Sequence, residues 1–451
     1  MQVCARQLRP LGQVQSRSPM KSILTCFLIL ILSVIGAGQS KPPAAPSVLL
    51  RCGALLDVRS GKLLERQTIV LSGNRIVAIK ESAAMASGAG SIDLSSLTCL
   101  PGLMDMHTHL TDEAGPYDLA RPLKKSGAQM AFESIPNAKA TLLAGFTTVR
   151  DVGTFRAFVD VALRDAIDRG TVPGPRMVPA GAYVTISGGA GALNGFAPDV
   201  ELPLELRYGV ADGPDQVRQR VREIIRRGAG VIKVLATGAV LAIGSQPGAQ
   251  EFNDDEIRAA VEEASKAGLK VACHAHGPAG IKAAVRAGVA SIEHGSFLDE
   301  EALQMMKQRG TFLVPDMYDD EVIMQDMSYP EEYRAKEKIA GDAQRWGVRR
   351  AIALGVKIAF GTDASVIPHG DNGKQFNTYV NIGMTPLFAI QTATVNAAEL
   401  LGWSDRVGVL EPGKLADVIA VRGNPLENVR TLENVVFVMK DGQVYKDERA
   451  R

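Results

Sequence analysis

The chain has 451 residues, 46 % hydrophobic and 22 % charged, with 50 basic side chains against 49 acidic ones. Composition this ordinary excludes a disordered chain, and a formal net charge of +1 provides no basic field for a nucleic acid. The length exceeds what one compact core usually holds, so a large domain with a smaller companion is expected.

In chain order, Met20 and Lys21 give a short basic start, an apolar run covers 23–35, and the small residues Gly36, Ala37 and Gly38 follow. That run is short for a membrane span and has the three-part form of a secretory signal. Cleavage near Gly38 or Gln39, from a true start at Met20, would deliver a periplasmic or secreted protein with no membrane attachment. An uncleaved anchor is the alternative. "KPPAAPS" (41–47) reads as a linker. Beyond it remain Cys52, Cys99 and Cys273, an odd, widely spaced set that makes no disulfide framework. Pairing of Cys52 with Cys99 is left open. With no CxxC spacing, any metal must be held by histidine and oxygen ligands.

Residues 48–101 read as short strands with hairpin signals, Ser72-Gly73-Asn74 forming one turn. Residues 404–446 have the same character, with Asp441-Gly442 as a turn. Together they predict one small β-sandwich domain built from both ends of the chain. Between them, strand-like runs fall at 103–110, 146–152, 177–184, 231–236, 271–276, 291–296, 311–318 and 357–363. Helical stretches with charged faces, such as "DQVRQRVREIIRRG", separate most of these runs. The alternation predicts an α/β fold, a (β/α)8 TIM barrel over 102–403. An open doubly wound sheet is the competing arrangement. It is disfavoured because "GLMDMHTHL" stands where a glycine-rich phosphate fingerprint would follow the first strand. The glycine-rich "SGGAGALNG" (187–195) opens no helix and reads as a flexible loop.

The rare polar residues fall at the ends of these strands. His107 and His109 end the first, Lys233 lies inside the fourth, His274 and His276 end the fifth, His294 the sixth and Asp363 the eighth. His369 follows a few residues later. In a barrel the carboxyl ends of the strands converge on one face, and residues at i and i+2 share a side, so His107 and His109 can address one ion. A single histidine at a strand end is more often a hydrogen-bonded structural residue, and an aspartate after Gly-Thr is often a helix cap. The joint pattern is much harder to explain as packing. Lys233 sharpens it, because burial among Val231, Ile232, Val234 and Leu235 favours the neutral amine. A neutral amine can bind CO2 to become a carbamate able to bridge two cations roughly 3.5–4 Å apart.

HxH after strand one, Lys on strand four, His on strands five and six and Asp on strand eight resembles the ligand pattern of the amidohydrolase superfamily over about residues 48–446. "TTVRDVG", "VIKVLATGAV", "HAHG", "IEHGS" and "GTDAS" look like its Xaa-Pro dipeptidase and metal-dependent carboxypeptidase branch. Relatives of that kind include amidases that cleave ochratoxin. The resemblance implies two divalent metal ions, zinc by default, one held by His107, His109 and Asp363 and the other by His274 and His294. Carboxylated Lys233 would bridge them. It further implies that a deprotonated water between the ions attacks the amide carbonyl while Asp363 passes the proton to the leaving amine.

His276 is expected either to support a ligand from behind or to polarise the carbonyl, and Tyr318 and His369 to contact substrate. Arg150 and Asp151 are expected to pair with each other, with no direct role. The implied substrate is a small molecule, a dipeptide or N-acyl amino acid losing its C-terminal residue, and the expected assembly is a homo-oligomer. An imidazolonepropionase-like cyclic amide hydrolase fits less well, since that type usually works with one metal and no bridging lysine. A non-catalytic binding protein would lack a ligand. No concentrated acidic pocket or dense aromatic set is visible in the loops, which suits apolar or proline-containing substrates.

Overall fold

Both ends of the described chain meet in one sheet. In the computed structural model, which describes residues 47–81, 90–113 and 115–449, β1 (Ser47–Asp57) pairs antiparallel with β2 (Lys62–Ser72), and β2 with β3 (Arg75–Glu81). On its other edge β1 runs parallel to β4 (Ser91–Pro101). The chain then enters eight further strands before returning. These are β5 (Leu103–Thr108), β6 (Phe146–Asp151), β7 (Arg176–Pro179), β8 (Tyr183–Val184), β9 (Ile232–Leu235), β10 (Val271–Ala275), β11 (Ser291–His294) and β12 (Phe312–Val314). It comes back as β13 (Val418–Val421), β14 (Phe437–Lys440) and β15 (Gln443–Asp447), and β13 docks antiparallel on β4. The result is a seven-stranded sheet in the order β15-β14-β13-β4-β1-β2-β3. Its apolar side chains, among them Leu50, Ile69, Leu94 and Phe437, form their own buried cluster. Parallel pairing sets Leu55 opposite Cys99, and the thiols of Cys52 and Cys99 are joined in a disulfide. The pairing that sequence left open is thus present, and Cys273 is a free, buried thiol.

The central strands are all parallel, in two groups, β5-β6-β7 and β12-β11-β10-β9-β8. Parallel strands need crossovers, supplied here mostly by helices such as Asp254–Lys266 between β9 and β10. That helix starts on a capping box in which Asn253 accepts from the Glu256 backbone and the Glu256 side chain accepts from the Asn253 N–H. Burial on both faces explains why β6, β10 and β12 are buried throughout and carry so little alternation.

The third expected strand is broken at Gly181, whose φ of +77° lets its first half pair with β6 and its second with β9. The eighth, at 357–363, is irregular. It exchanges backbone bonds with Leu313 on one side, while on the other Met106 N–H donates to Phe360 O at 2.8 Å and Asp363 N–H to His107 O at 2.9 Å. The glycine-rich loop is not free. Ala190 N–H donates to the Glu251 carboxylate at 2.9 and 3.1 Å, and Asn194 caps Gly188 and Gly189 carbonyls. The expected secretory signal lies outside the described residues. Among those described, no helix is long and apolar enough to cross a membrane.

Candidate metal centre

Three strand ends and one irregular segment bring five histidines and Asp363 to a single cavity of about 130 Å³, with Lys233 in its wall. His107, His109 and Asp363 form one group whose potential ligand atoms lie within 4.8 Å of one another, and His274, His276 and His294 form a second. His294, Asp316 and Asp363 form a third on the same criterion, so the groups touch. The ring centroids of His107 and His294 are 4.8 Å apart, and those of His274 and His294 4.5 Å.

Most rings are anchored from behind through Nδ1. His109 bonds Gly153 O at 2.7 Å, His107 the Glu293 carboxylate at 3.0 Å, His294 that of Asp316 at 2.6 Å, and His276 the Ser296 hydroxyl at 2.8 Å. An oxygen acceptor on Nδ1 fixes the tautomer and leaves the Nε2 lone pair for an ion. His274 Nε2 is buried with no hydrogen-bond partner at all. His294 and Asp363 hold φ of +66° and +52°, the left-handed region that non-glycine residues rarely occupy. Such strain, of about 1–3 kcal/mol each, persists where surrounding structure over-determines it and concentrates at active sites.

Electrostatics divides the donors. Burial, helped by neighbouring imidazoles, holds His107, His274 and His276 well below the usual histidine range, so they are neutral. Burial opposes protonation of His109 as well, but Asp363 Oδ1 at 3.1 Å from its Nε2 overrides it and raises the imidazole to about 9. The same contacts hold the Asp363 carboxyl well below its usual range despite burial. Burial pushes the Lys233 ammonium down, against the pull of Glu293 and Asp363. This favours the uncharged amine.

Arg150 and Asp151 do not pair, contrary to expectation. Arg150 reaches across to β11, donating to both Glu293 oxygens at 2.8 and 2.9 Å and to Ser291 Oγ at 2.8 Å. Asp151 accepts instead from Leu110 N–H at 2.6 Å, beside the turn that carries His109. Adjacent residues on a strand face opposite sides, which keeps the two side chains apart. Tyr318 and His369 do not line the cavity. Tyr318 precedes the helix Asp319–Gln325, with its ring under Lys374 Nζ at 5.6 Å. His369 bonds Asp112 O through Nε2 at 2.8 Å, and burial lowers its pKa to about 4.

Glu293, Asp316 and Asp105 were not anticipated. Asp105 ties β5 to the eighth segment by accepting from Thr362 at 2.6 Å and Asn372 at 2.8 Å. Each lies in an apolar run, where an isolated carboxylate is costly; that cost was the available signal. A second chamber of about 200 Å³ shares Phe155, Ala190 and Leu241 with the first. Its walls include Tyr117, Tyr329, Tyr333, Leu119 and Met130, so the aromatic set that looked absent in sequence is assembled from distant segments.

Comparison with known proteins matches residues 98–445 to the Amidohydrolase family. The chain belongs to that family. An ochratoxinase of Aspergillus niger is 32 % identical over 95 % of this chain and 94 % of its own. The solved structure of a Xaa-Pro dipeptidase with methionine in its active site covers 89 % of this amidohydrolase and 100 % of the dipeptidase chain, at 41 % identity and a TM-score of 0.84. A prolidase complexed with N-methylphosphonate-L-proline aligns with a TM-score of 0.83 at 32 % identity, over 89 % of this chain and all of its own. This amidohydrolase is therefore an enzyme that hydrolyses amide bonds. Its family is generally metal-dependent, and its buried His and Asp groups could hold metal.

Proposed function

We propose that this amidohydrolase is a binuclear, metal-dependent enzyme that releases the C-terminal amino acid from dipeptides or N-acyl amino acids, ochratoxin-type aryl amides included. The observation that carries this reading is the pair of buried donor groups around Lys233 in one cavity. His107, His109 and Asp363 would hold one divalent ion and His274 and His294 the other, with carboxylated Lys233 bridging. The donors suit zinc. The chain fits that loading on its own chemistry, with neutral imidazoles, an orphaned His274 Nε2 and a lysine whose burial favours the carbamate-forming amine. When bound, the ions would supply Lewis acidity at the scissile carbonyl and acidity at the attacking water.

The remaining steps belong to the chain. Asp363 takes the proton of the attacking water on a carboxylate oxygen and hands it to the leaving nitrogen, so the product departs as a neutral amine. Glu293 holds His107, and Asp316 holds His294, in the orientation the ions need. His276 stands close enough to act as a further donor to the second ion or to polarise the carbonyl. The aromatic chamber accommodates the acyl portion of the substrate. Tyr318 and His369 would contact substrate from the loops after strands seven and eight.

We also read the parallel pairings from β5 to β12, continued through 357–364 back to β5, as a closed (β/α)8 barrel over 102–403. Residues 48–101 and 404–446 would be its β-sandwich companion. Export as a periplasmic or secreted protein and homo-oligomeric assembly complete the reading. Metal analysis of the purified protein should return about two ions per chain. A value near one, unchanged by added zinc and bicarbonate, refutes the binuclear form. Failure to hydrolyse any free-carboxylate amide in a screen of Xaa-Pro, Xaa-Arg, Xaa-Phe and N-acyl amino acids refutes the substrate class.

A further inference from the structure

Two carboxylates in the wall of the catalytic cavity take no part in the metal centre. Asp319 opens the helix Asp319–Gln325 and Glu337 lies on the helix Glu331–Leu354. Both line the cavity beside His109, His276 and Asp363, and both are more than nine-tenths buried, at 8 % and 7 % exposure. Neither belongs to any of the three groups of potential ligand atoms. Asp319 Oδ1 is buried without any hydrogen-bond partner. Arg345, whose charge is felt at Glu337, pairs with Asp320, and Lys336, the sequence neighbour of Glu337, pairs with Glu332. Apolar neighbours, among them Leu235, Val240, Leu241 and Ile323, complete this part of the wall.

A buried carboxylate oxygen with no donor is expensive, and a donor that enters the cavity recovers that cost. Burial raises Asp319 well above the usual carboxylate range and Glu337 to about 8, with acidic neighbours adding to the effect. The two acids are thus short of positive charge when the cavity holds only protein. An organic cation with N–H donors would supply the hydrogen bond that Asp319 Oδ1 lacks, charge-assisted and about twice as strong as a neutral one.

We propose that Asp319 and Glu337 form a specificity subsite for a cationic nitrogen of the substrate, an ammonium or guanidinium group. This deepens the reading as an amide hydrolase and rests on it. It makes substrates that carry a positive charge, such as dipeptides with a free amino terminus or a basic side chain, preferred over neutral N-acyl amino acids. The loops looked free of an acidic pocket in sequence. The structure builds one by packing two helices over the strand ends.

Four amides test the subsite with the metal-loaded enzyme: Met-Leu, N-acetyl-Met-Leu, N-acetyl-Lys-Leu and N-acetyl-Met-Lys. At least one cationic member should exceed N-acetyl-Met-Leu in kcat/KM by about tenfold or more, chiefly through KM. Preference for Met-Leu assigns the subsite to the α-ammonium, and preference for either lysine substrate assigns it to a side chain. In Asp319→Asn and Glu337→Gln, which keep side-chain volume, the ratio of cationic to neutral turnover should fall by about tenfold, more in the double variant. Rates for all four amides within about twofold of one another in the wild type overturn the subsite alone, as does a preference that survives both substitutions. Turnover of none of them overturns the subsite and the amide-hydrolase reading beneath it. If a variant fails to fold, the wild-type ranking still decides.

Discussion

His107, His109 and Asp363 form one group of donors, and His274, His276 and His294 form the other. They share a cavity and a residue type and differ in one carboxylate. Asp363 gives the first group a negative charge of its own and raises His109 to about 9, whereas burial among other imidazoles leaves His274 and His276 neutral. An entering cation must displace a proton from His109 and none from His274 or His276. On the proposed loading, Asp363 would serve as ligand and proton carrier together, while the second group would only bind.

Substitutions at the two groups should separate those roles. Asp363→Asn is expected to cost the most, about a thousandfold or more in kcat/KM, because it removes a ligand and the proton carrier together. Chelation followed by zinc should restore the wild type but not this variant. Next comes Arg150→Met, which strands Glu293 behind His107. Buried as that pair is, the loss should be about 3–5 kcal/mol of stability, read from chemical denaturation. A loss below about 1 kcal/mol would show that Glu293 finds another partner.

Lys233→Ala should lose most activity, roughly a hundredfold, along with one of the two ions. Partial rescue by bicarbonate with a short carboxylic acid is expected. Full activity without rescue would remove the lysine from the bridge. His276→Asn is the mildest of the series, at about tenfold. If bound metal falls with it as it does in His274→Asn, the second group is a three-histidine site. If metal content holds and only kcat drops, His276 acts on substrate.

How far the site was readable depended on where each residue lies relative to the strands. Histidines at strand ends, spaced i and i+2, expose a shared direction that needs no tertiary knowledge, and His107, His109, His274, His276 and His294 duly line one cavity with Asp363. Tyr318 and His369 sit on loops, whose course no periodicity dictates, and neither lines the cavity. The partner of Arg150 is not legible in the sequence, because adjacency points to Asp151 and a contact from β6 to β11 leaves no local mark.

What the sequence determined by itself was the parallel α/β order, the polar side chains that gather in the cavity and the strand that carries each, because apolar periodicity and the cost of burying polar groups are local properties. Only the tertiary structure decided which acids stand alone. Glu293 meets Arg150 across 143 residues, and Cys52 meets Cys99 across 47. Asp319 and Glu337, on separate helices, both reach the cavity, and neither has an ion-pair partner among the described residues. Charge pairing depends on distance in space, and only the packing of helices over the strand ends sets that distance.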